Sequence, residues 1–288
     1  MVEPLPRGRN PFGQSGVQRD GAGVARYVDR PASLVHMLRA SVERDVGATA
    51  VLEVGGDESI TYGQLWDRAA RVAGGLAEHG VSRGDRVAIR LGNGIDWVLA
   101  FFGAQLLGAV VVPINTRLTE EEVAYVVHDS GAIYTFAPGS LPDGRSTVVE
   151  DLAGDDLAAI FYTSGTTGFP KGAMTSHANF LTNSENAFRC LFADRADGPS
   201  MSSLVSVPLF HVTGCNSQLI PTLELGARLE ILSGPLDFAG IFEAVGEHGV
   251  NQLVSVPAIF HALVHHPSFE QLDVSRVKWV SYGGAPIA

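Results

Sequence analysis

The residues best suited to chemistry lie between Tyr162 and Gly172, where the sequence reads YTSGTTGFPKG directly after an apolar run. Glycines in such a turn permit positive φ and close backbone approach, so that successive amides can converge on anionic oxygens. Hydroxyl groups can donate to the same oxygens or reach a magnesium ion, and a lysine adds a mobile positive charge. The pattern predicts a loop that binds the phosphates of a nucleotide, with the candidate residues Thr163, Ser164, Gly165, Thr166, Thr167, Gly168 and Lys171.

Two common nucleotide-binding patterns do not fit the sequence. The GxxxxGK[ST] loop needs a glycine before its lysine and a hydroxyl residue after it, whereas Lys171 follows a proline and precedes a glycine. The GxGxxG pattern of dinucleotide-binding folds fails as well, because Trp97 occupies the place of the third glycine after Gly92 and Gly94.

As a whole, the segment resembles the phosphate-binding loop of the adenylate-forming enzymes, a superfamily of acyl-CoA synthetases, peptide-synthetase adenylation domains and luciferases. Four further stretches are similar to segments of these enzymes in order and spacing. They are an early helix at Ile60–Leu76, the strand after it at Gly108–Asn115, a gate beside the acyl pocket at Val207–Gly214, and a loop around adenine and the acyl carbonyl at Ser281–Ile287. The resemblance covers about residues 31 to 288 and is to acyl-CoA synthetases of the fatty-acid–CoA ligase type.

The resemblance implies a two-step reaction. A carboxylate is a poor electrophile because its leaving group would be oxide, and adenylate-forming enzymes let it attack the α-phosphorus of ATP instead. Pyrophosphate departs, and the thiol of CoA then opens the acyl-adenylate. Positioning and charge neutralisation carry most of such catalysis. We therefore expect ATP, Mg²⁺, CoA and a small carboxylic acid as the molecules that are bound.

The resemblance also implies roles for individual residues. Thr163 is the expected magnesium contact, and Thr166, Thr167 and Lys171 would bind the β- and γ-phosphates. His211 follows an apolar strand and a proline, and would orient the acid as a gate beside the α-phosphate. The candidate catalytic residues are thus His211 and Lys171, and the adenine and acyl carbonyl would be held by Gly283, Gly284, Ala285 and Pro286.

The identity of the acid is less constrained. A fatty or other aliphatic acid is favoured, with an aryl-acid–CoA ligase as the alternative. An amino-acid-activating domain ranks third, because Phe210–Asn216 contains no acidic residue to pair with a substrate ammonium. A luciferase-like oxygenase would share all of these residues, and a non-catalytic nucleotide-binding remnant would keep the loop. The candidates for the acyl wall are Val212, Thr213, Ile259, Phe260 and Ala285.

The resemblance places further functional parts after Ala288, where this sequence stops. These are the glutamate that completes the magnesium site, the aspartate that holds the ribose, an arginine hinge, and a small C-terminal domain with the catalytic lysine and much of the CoA site. We therefore expect the sequence to form part of an N-terminal domain and to have little or no turnover alone.

Composition narrows the class of protein. Lys and Arg number 20 against 31 Asp and Glu, and the net charge of −11 argues against a nucleic-acid surface or an anionic-membrane patch. Cys190 and Cys215 are far apart, which predicts a reducing compartment, the cytoplasm by default, and no structural metal. The apolar stretch Trp97–Ile114 is interrupted by glycine, glutamine and proline, so it predicts a buried helix and a core strand rather than a membrane span. The sequence leaves the oligomeric state open.

The elements that must position these residues alternate between helical and strand periods from Pro31 onward, with helix caps predicted at Ser33, Thr61 and Thr119. Such alternation predicts an α/β fold with helix-covered, mostly parallel sheets. We expect a flexible tail at residues 1–30, a first α/β subdomain at 31–152, and a second at 153–288 that contains the phosphate loop. Strands expected in the second are Leu157–Tyr162, Leu204–Leu209, Arg228–Leu232, Gln252–Val256 and Val277–Tyr282, with helices at Asp237–Glu247 and Pro257–His265.

Overall fold

The computed structural model describes residues 14–56, 58–163, 170–191, 195–234 and 236–285. Within these ranges the strands form a six-stranded sheet, a five-stranded sheet and a separate two-stranded hairpin. Helices alternate with the strands along the chain and cover the sheets, which confirms the predicted α/β class.

The six-stranded sheet is mostly parallel. Its members are β3 (Thr49–Val54), β4 (Ser59–Thr61), β10 (Ser202–Val205), β11 (Arg228–Leu232), β12 (Gln252–Ser255) and β13 (Trp279–Tyr282). Their order is β13–β12–β10–β11–β3–β4, and only β4 runs antiparallel to its neighbour. The ends of the parallel strands therefore define a carboxyl edge and an amino edge.

The five-stranded sheet ends in the hairpin that carries the predicted phosphate loop. Its members are β5 (Arg86–Ile89), β6 (Val110–Pro113), β7 (Ala132–Phe136), β8 (Leu157–Thr163) and β9 (Lys171–Ser176). Their order is β7–β5–β6–β8–β9, and β8 and β9 pair in antiparallel fashion.

The α-helices of the described residues are α1 (Leu34–Arg44), α2 (Tyr62–Glu78), α3 (Ile95–Leu107), α4 (Glu120–Ser130), α5 (His177–Leu191), α6 (Val212–Gly214), α7 (Ile220–Glu224), α8 (Phe238–Gly246) and α9 (Pro257–Val264). A π-helical turn (Cys215–Leu219) joins α6 to α7, and 3₁₀ turns occur at Arg195–Ser200 and Phe269–Gln271.

Helix α3 lies between the two sheets, where it contacts β3 on one side and β5 and β6 on the other. Trp97 and Phe101 are fully buried in it, and their rings stack at a centroid distance of 5.5 Å. A helix that is covered on all sides is apolar on all sides, which explains the apolar stretch seen in the sequence. Among the described residues, the structure contains no helix long and apolar enough to cross a membrane.

The predicted helix caps are confirmed. The Ser33 hydroxyl accepts the amide of His36, and Thr61 forms a capping box with Gln64. The same reciprocal pair of bonds is made by the cap of α4 with its third residue. These caps depend on residues close in the sequence, and for that reason the sequence pattern identifies them.

Residues 14–30 differ from the expected loose tail. They contain the antiparallel strands β1 (Val17–Arg19) and β2 (Ala25–Tyr27). Asp20 closes the turn between them by accepting the amide of Val24 and the guanidinium of Arg26. The Tyr27 hydroxyl donates to Asn186 Oδ1 on α5 at 2.7 Å. An aspartate before a glycine is a turn signal, and here it organises a hairpin that packs on the domain.

Sheet membership does not follow the expected division near residue 152. Strands β3 and β4 come from the first segment but join β10–β13, while β8 and β9 come from the second segment but join β5–β7. The chain therefore crosses between the sheets twice, and a linear boundary cannot describe that. The expected strand at 204–209 is also shorter, because β10 ends at Val205 and a turn follows.

Candidate functional site

Three strands of the six-stranded sheet bring polar groups to its carboxyl edge. Ser206 follows β10 and Ser255 ends β12, and their hydroxyl oxygens are 3.2 Å apart. The amide of Gly283, directly after β13, donates to the backbone oxygen of Ser255 at 3.3 Å. Open α/β sheets bind their ligands outside the carboxyl ends of the strands. A ligand site is therefore expected at this edge.

His211 lies on a tight turn between β10 and α6, which we call the histidine turn (residues 207–214). Its amide donates to the backbone oxygen of Pro208 at 3.1 Å. A Cβ on Gly214 would lie 2.4 Å from that same oxygen, far inside van der Waals contact. The turn is therefore so compact that only glycine fits where α6 passes the proline.

The imidazole of His211 has one nitrogen bound and one nitrogen open. Nδ1 accepts the backbone amide of Thr213 at 3.2 Å. A nitrogen that accepts a hydrogen bond cannot hold the proton, so the neutral ring holds it on Nε2. The side chain is exposed, and Nε2 makes no hydrogen bond to any described residue. His211 can therefore donate to an anionic oxygen that arrives from solvent.

The glycine-rich loop after β13 reaches the histidine turn. Gly284 has a φ of +77°, and a Cβ there would lie 3.4 Å from Thr213 Oγ1. A Cβ on Gly283 would have no neighbour within 4 Å, so this position faces open space. Ala285 is exposed, and Pro286 lies outside the described residues. The structure thus brings one predicted adenine-loop residue, Gly284, next to the histidine turn, while the amide of Gly283 bonds the end of β12.

The β8–β9 hairpin brings Thr163 and Lys171 together as the last pair of its ladder. Lys171 is exposed and forms no ion pair with the residues that the structure describes. The backbone oxygen of Pro170 accepts the Tyr125 hydroxyl at 3.4 Å, which ties the hairpin to α4. The remaining predicted loop residues, Ser164, Gly165, Thr166, Thr167 and Gly168, lie outside the described residues.

Two side chains of β8 fix the base of this hairpin. The Tyr162 hydroxyl donates to Asp129 Oδ2 on α4 at 2.6 Å. Burial, and then the Asp129 carboxylate, raise the pKa of Tyr162 far above its usual range, so the hydroxyl remains a donor. A Cβ on Gly172 would lie 2.7 Å from Ile160 Cγ2 and 3.1 Å from the Tyr162 ring. The glycine after the lysine is therefore required by packing of the partner strand.

Helix α5 links the hairpin with the histidine turn. It starts at His177 directly after β9, and Asn183 Nδ2 donates to the backbone oxygen of Asn216 in the π-helical turn at 2.8 Å. No hydrogen bond between described residues joins the hairpin to the histidine turn directly. The predicted residues therefore lie in two groups, one at the end of each sheet, with α5 between them.

An apolar cavity of about 890 Å³ lies beside the edge strand β13, and Leu253, Phe260, Leu263 and Val280 are among its lining residues. Of the predicted acyl wall, Phe260 lines this cavity. Phe260 also lines, together with Ile259, a smaller space between the sheet and the helices α8 and α9. Two residues of the predicted wall therefore share one space.

Comparison with known proteins decides the family. The sequence profile of the AMP-binding enzymes matches residues 38–151 and 137–288. The chain belongs to the AMP-binding enzyme family. This confirms the resemblance drawn from the phosphate loop, the histidine turn and the glycine-rich loop.

Relatives of this AMP-binding enzyme include ligases for different acids. A protein named feruloyl-CoA synthase from an Amycolatopsis species is 34% identical over 261 residues, which cover 83% of this chain and 52% of the relative. The long-chain-fatty-acid–CoA ligase FadD13 of Mycobacterium tuberculosis is 30% identical over 286 residues, which cover 87% of this chain and 55% of the relative. The chain thus spans about half the length of the curated relatives that it matches.

A solved structure shows the same fold. The inhibitor-bound N-terminal domain of FACL13 from Mycobacterium tuberculosis superposes with a TM-score of 0.74 at 28% identity, over 89% of this chain and 71% of that chain. The predicted fold of a family N-terminal domain is therefore confirmed.

Some residues at the carboxyl edge of this AMP-binding enzyme were not identified from the sequence. Ser206 and Ser255 each stand at the carboxyl end of a strand, and that place was the available signal. Asn93 follows β5 and bonds the backbone of Val207 and Leu209. The available signal was a polar residue between two glycines a few residues after β5.

Metal ligands are sparse in the described part of the chain. The described residues contain no group of three His, Cys, Asp or Glu side chains that could hold a metal ion. The predicted contact Thr163 offers a single hydroxyl, which is too little to hold Mg²⁺ without phosphate oxygens. The donor set therefore fits a magnesium ion that arrives bound to a nucleotide.

Proposed function

We propose that this chain provides the nucleotide- and acid-binding part of an enzyme that activates a carboxylic acid with ATP. The acid, a fatty or other aliphatic acid, becomes an acyl-adenylate and then an acyl-CoA. The observation that carries the proposal is the pairing of Thr163 with Lys171 at the end of the β8–β9 hairpin. This pairing holds the ends of the Gly-, Ser- and Thr-rich segment side by side with an exposed ammonium at its base.

Lys171 suits the neutralisation of a polyphosphate. An ammonium on a flexible stem is a point charge that can follow the phosphate oxygens as pyrophosphate leaves. The absence of a competing ion pair in the described residues leaves this charge available for the substrate. Magnesium would enter as its ATP complex, with the Thr163 hydroxyl as one ligand, and would neutralise further phosphate charge.

His211 suits the orientation of the acid. Its Nε2–H is the open donor of the histidine turn, while Nδ1 is held by the backbone of Thr213. A donor at this place can hold a carboxylate oxygen while the other oxygen attacks the α-phosphorus. The same donor can then bind the acyl-adenylate, because the carbonyl oxygen remains where the carboxylate oxygen was.

The class of acid has a second candidate. The similarity to a feruloyl-CoA synthase, at 34% identity, favours an aryl acid. The similarity to FadD13 supports the aliphatic acid. Pyrophosphate release measured with matched panels of aliphatic and hydroxycinnamic acids separates the two. We expect the 288 residues alone to have low turnover, and a pyrophosphate assay would then give little signal. Binding of the same acids to the protein is therefore measured as well.

The nucleotide site is tested with the two lysines of the sequence, Lys171 and Lys278. Lys278 lies at the amino edge, with its ammonium 5.7 Å from the Trp279 ring, and serves as the matched control. We expect Lys171→Ala to weaken binding of ATP with Mg²⁺ by about tenfold or more in calorimetry, since a hydrogen bond to a charged group contributes roughly 1.5–3 kcal/mol. Lys278→Ala should leave the affinity unchanged.

A second measurement uses the wild-type protein alone. Lysine acetylation followed by mass spectrometry reports the accessibility of both ammonium groups. We expect ATP with Mg²⁺ to protect Lys171 and to leave Lys278 reactive. Equal reactivity of Lys171 with and without saturating nucleotide would contradict the proposed site.

A further inference from the structure

Asn93 holds the histidine turn in its shape. Its Oδ1 accepts the amide of Leu209 at 2.8 Å, and its Nδ2 donates to the carbonyl of Val207 at 3.0 Å. The two bonded groups flank Pro208, which has no amide hydrogen of its own. A carboxamide is the side chain that offers one acceptor and one donor in this geometry. Asn93 therefore fixes the backbone on both sides of the proline.

Both sheets in turn hold the segment that carries Asn93. The amide of Arg90 donates to the backbone oxygen that ends β7 at 2.9 Å, in the five-stranded sheet. The amide of Ile95, the first residue of α3, donates to Glu53 Oε1 on β3 at 2.6 Å, in the six-stranded sheet. A Cβ on Gly94 would lie 2.7 Å from the same carboxylate oxygen. Asn93 thus stands between two anchored residues.

A short chain of contacts connects this clamp with the imidazole of His211. The clamp sets Pro208, the backbone oxygen of Pro208 accepts the amide of His211 at 3.1 Å, and Nδ1 of His211 accepts the amide of Thr213. Each of these hydrogen bonds has a backbone group of the histidine turn as one partner. Movement of Pro208 would therefore move the open Nε2 of His211.

We propose that Asn93 is a positioning residue, which places His211 Nε2 against the carboxylate of the acid and the acyl group of the adenylate. The inference rests on the proposed function of His211. It adds a residue that touches neither substrate and acts only through the backbone of the histidine turn. It also means that the segment held by both sheets helps to determine which acid the site accepts.

The structure contains a matched control for this clamp. Asn251 Oδ1 accepts the amide of Ser202 at 3.0 Å, and Asn251 Nδ2 donates to the carbonyl of Ser200 at 2.8 Å. The two asparagines make the same pair of bonds, one at each end of β10. Asn251 lies at the amino edge, away from the histidine turn. A purely structural clamp and a positioning clamp can therefore be compared on one strand.

The deciding experiment is a double-mutant cycle with a non-hydrolysable acyl-adenylate analogue, an acyl sulfamoyl adenosine, whose affinity is measured by calorimetry. We expect Asn93→Ala to weaken binding of the analogue by about tenfold, the effect of losing one well-placed hydrogen bond. Binding of ATP with Mg²⁺ should change by less than about threefold, because ATP lacks the acyl group. In the His211→Ala background, Asn93→Ala should have no further effect, since it acts through His211.

Asn251→Ala should lower the melting temperature about as much as Asn93→Ala but leave the affinity for the analogue unchanged. An equal loss of affinity in the two asparagine variants, or additivity of Asn93→Ala with His211→Ala, would show that the clamp is structural only. Should Asn93→Ala not fold, Asn93→Asp takes its place. It keeps the acceptor for Leu209 but sets a carboxylate oxygen against the Val207 carbonyl, and we expect the same tenfold loss.

A ligand-free measurement separates failure of this inference from failure of the proposed function. If wild-type protein does not bind the analogue, the proposed function is wrong, and amide hydrogen exchange then decides on the clamp alone. We expect Asn93→Ala to speed exchange of the amides of His211 and Cys215, and Asn251→Ala to leave them unchanged. Unchanged exchange at both amides in Asn93→Ala would overturn the inference whichever ligand binds.

Discussion

The two ends of β10 are held by the same device and used differently. Asn251 closes the amino end by bonding residues 200 and 202, and Asn93 closes the carboxyl end by bonding residues 207 and 209. At the amino end of β10, the polar groups near the clamp pair with one another. Beyond the second clamp stands His211 with one ring nitrogen open to solvent. An identical clamp can therefore serve stability at one end and a ligand site at the other.

The amino edge shows what a closed set of polar groups looks like. Glu230 is fully buried in β11. One of its oxygens accepts Arg228 Nε at 2.9 Å, and the other lies 2.8 Å from His248 Nδ1. Both oxygens are therefore used, and nothing is left for a ligand. The carboxyl edge differs because its Gly283 faces open space and Nε2 of its histidine makes no hydrogen bond to a described residue.

The largest expected effect lies in this closed set. Glu230→Ala should lower the free energy of unfolding by about 3 kcal/mol, because it leaves the Arg228 guanidinium and His248 without their buried partner. Urea denaturation at pH 7 measures this. Binding of ATP with Mg²⁺ to the folded variant should be unchanged, since the amino edge holds no substrate.

The control for this prediction is the exposed ion pair of Arg90 with Glu120, whose oxygen is 2.6 Å from the guanidinium nitrogen. An exposed pair is screened by solvent, so Glu120→Ala should leave the denaturation midpoint unchanged. Equal midpoints for Glu230→Ala and Glu120→Ala would show that the buried polar groups around Glu230 stabilise the fold no more than an exposed ion pair does.

The sequence alone predicts contacts between neighbouring residues better than contacts between distant segments, for a physical reason. The strand that leads into the phosphate loop, predicted at Leu157–Tyr162, follows from a local apolar run, and the capping boxes follow from residues three apart. The partner strand β9 was not predicted from the sequence. Asn93 lies 114 residues from Val207, and nothing local to either residue indicates the bond. The N-terminal hairpin was missed as well, because the many glycines of this segment indicated a flexible tail and the turn closed by Asp20 was not recognised among them. Contacts over such separations are created by the crossing of the chain between two sheets.

Two histidines extend the comparison, because each uses Nδ1 to accept a backbone amide at the start of a helix. His177 accepts the amide of Leu34 at 3.3 Å and is buried, whereas His211 is exposed. Burial lowers the pKa of His177 from 6.5 to about 4, against a smaller opposite effect of Asp156. The buried histidine is therefore a structural acceptor that must remain neutral.

This pKa shift predicts a dependence of stability on pH. The unfolded chain takes up the histidine proton near pH 6.5, whereas the folded chain takes it up only near pH 4. The stability from neutral His177 is thus fully present above pH 6.5 and is lost as the pH falls to about 4, by up to roughly 3 kcal/mol. Urea denaturation across this range should show a shallower fall in His177→Asn, which keeps an acceptor but does not titrate.

Gly214 tests how strongly the shape of the histidine turn is required. In Gly214→Ala the new Cβ would meet the backbone oxygen of Pro208 at 2.4 Å, so the turn must open. We expect a loss of about 2 kcal/mol in the free energy of unfolding, typical of overpacking, together with loss of acyl-adenylate analogue binding. A matched control is Gly246→Ala at the end of α8, where the Cβ would make an ordinary contact of 3.6 Å with Leu272. Equal stability of the two variants would show that the turn tolerates expansion.

The smallest effect on stability is expected at Gly283, where the difference between the edges is sharpest. Its φ lies outside the left-handed region, and an added Cβ would meet nothing within 4 Å, so Gly283→Ala should change the free energy of unfolding by less than about 0.5 kcal/mol. Its neighbour Gly284 has a φ of +77°, and Gly284→Ala should destabilise by about 1 kcal/mol.

Both substitutions place a methyl group where the adenine loop is proposed to act, so both should weaken binding of ATP with Mg²⁺. A methyl group at Gly283 that lowers the affinity for ATP without lowering the stability would show that the open space beside Gly283 binds the ligand. Wild-type affinity in Gly283→Ala would show instead that the nucleotide binds elsewhere on the carboxyl edge.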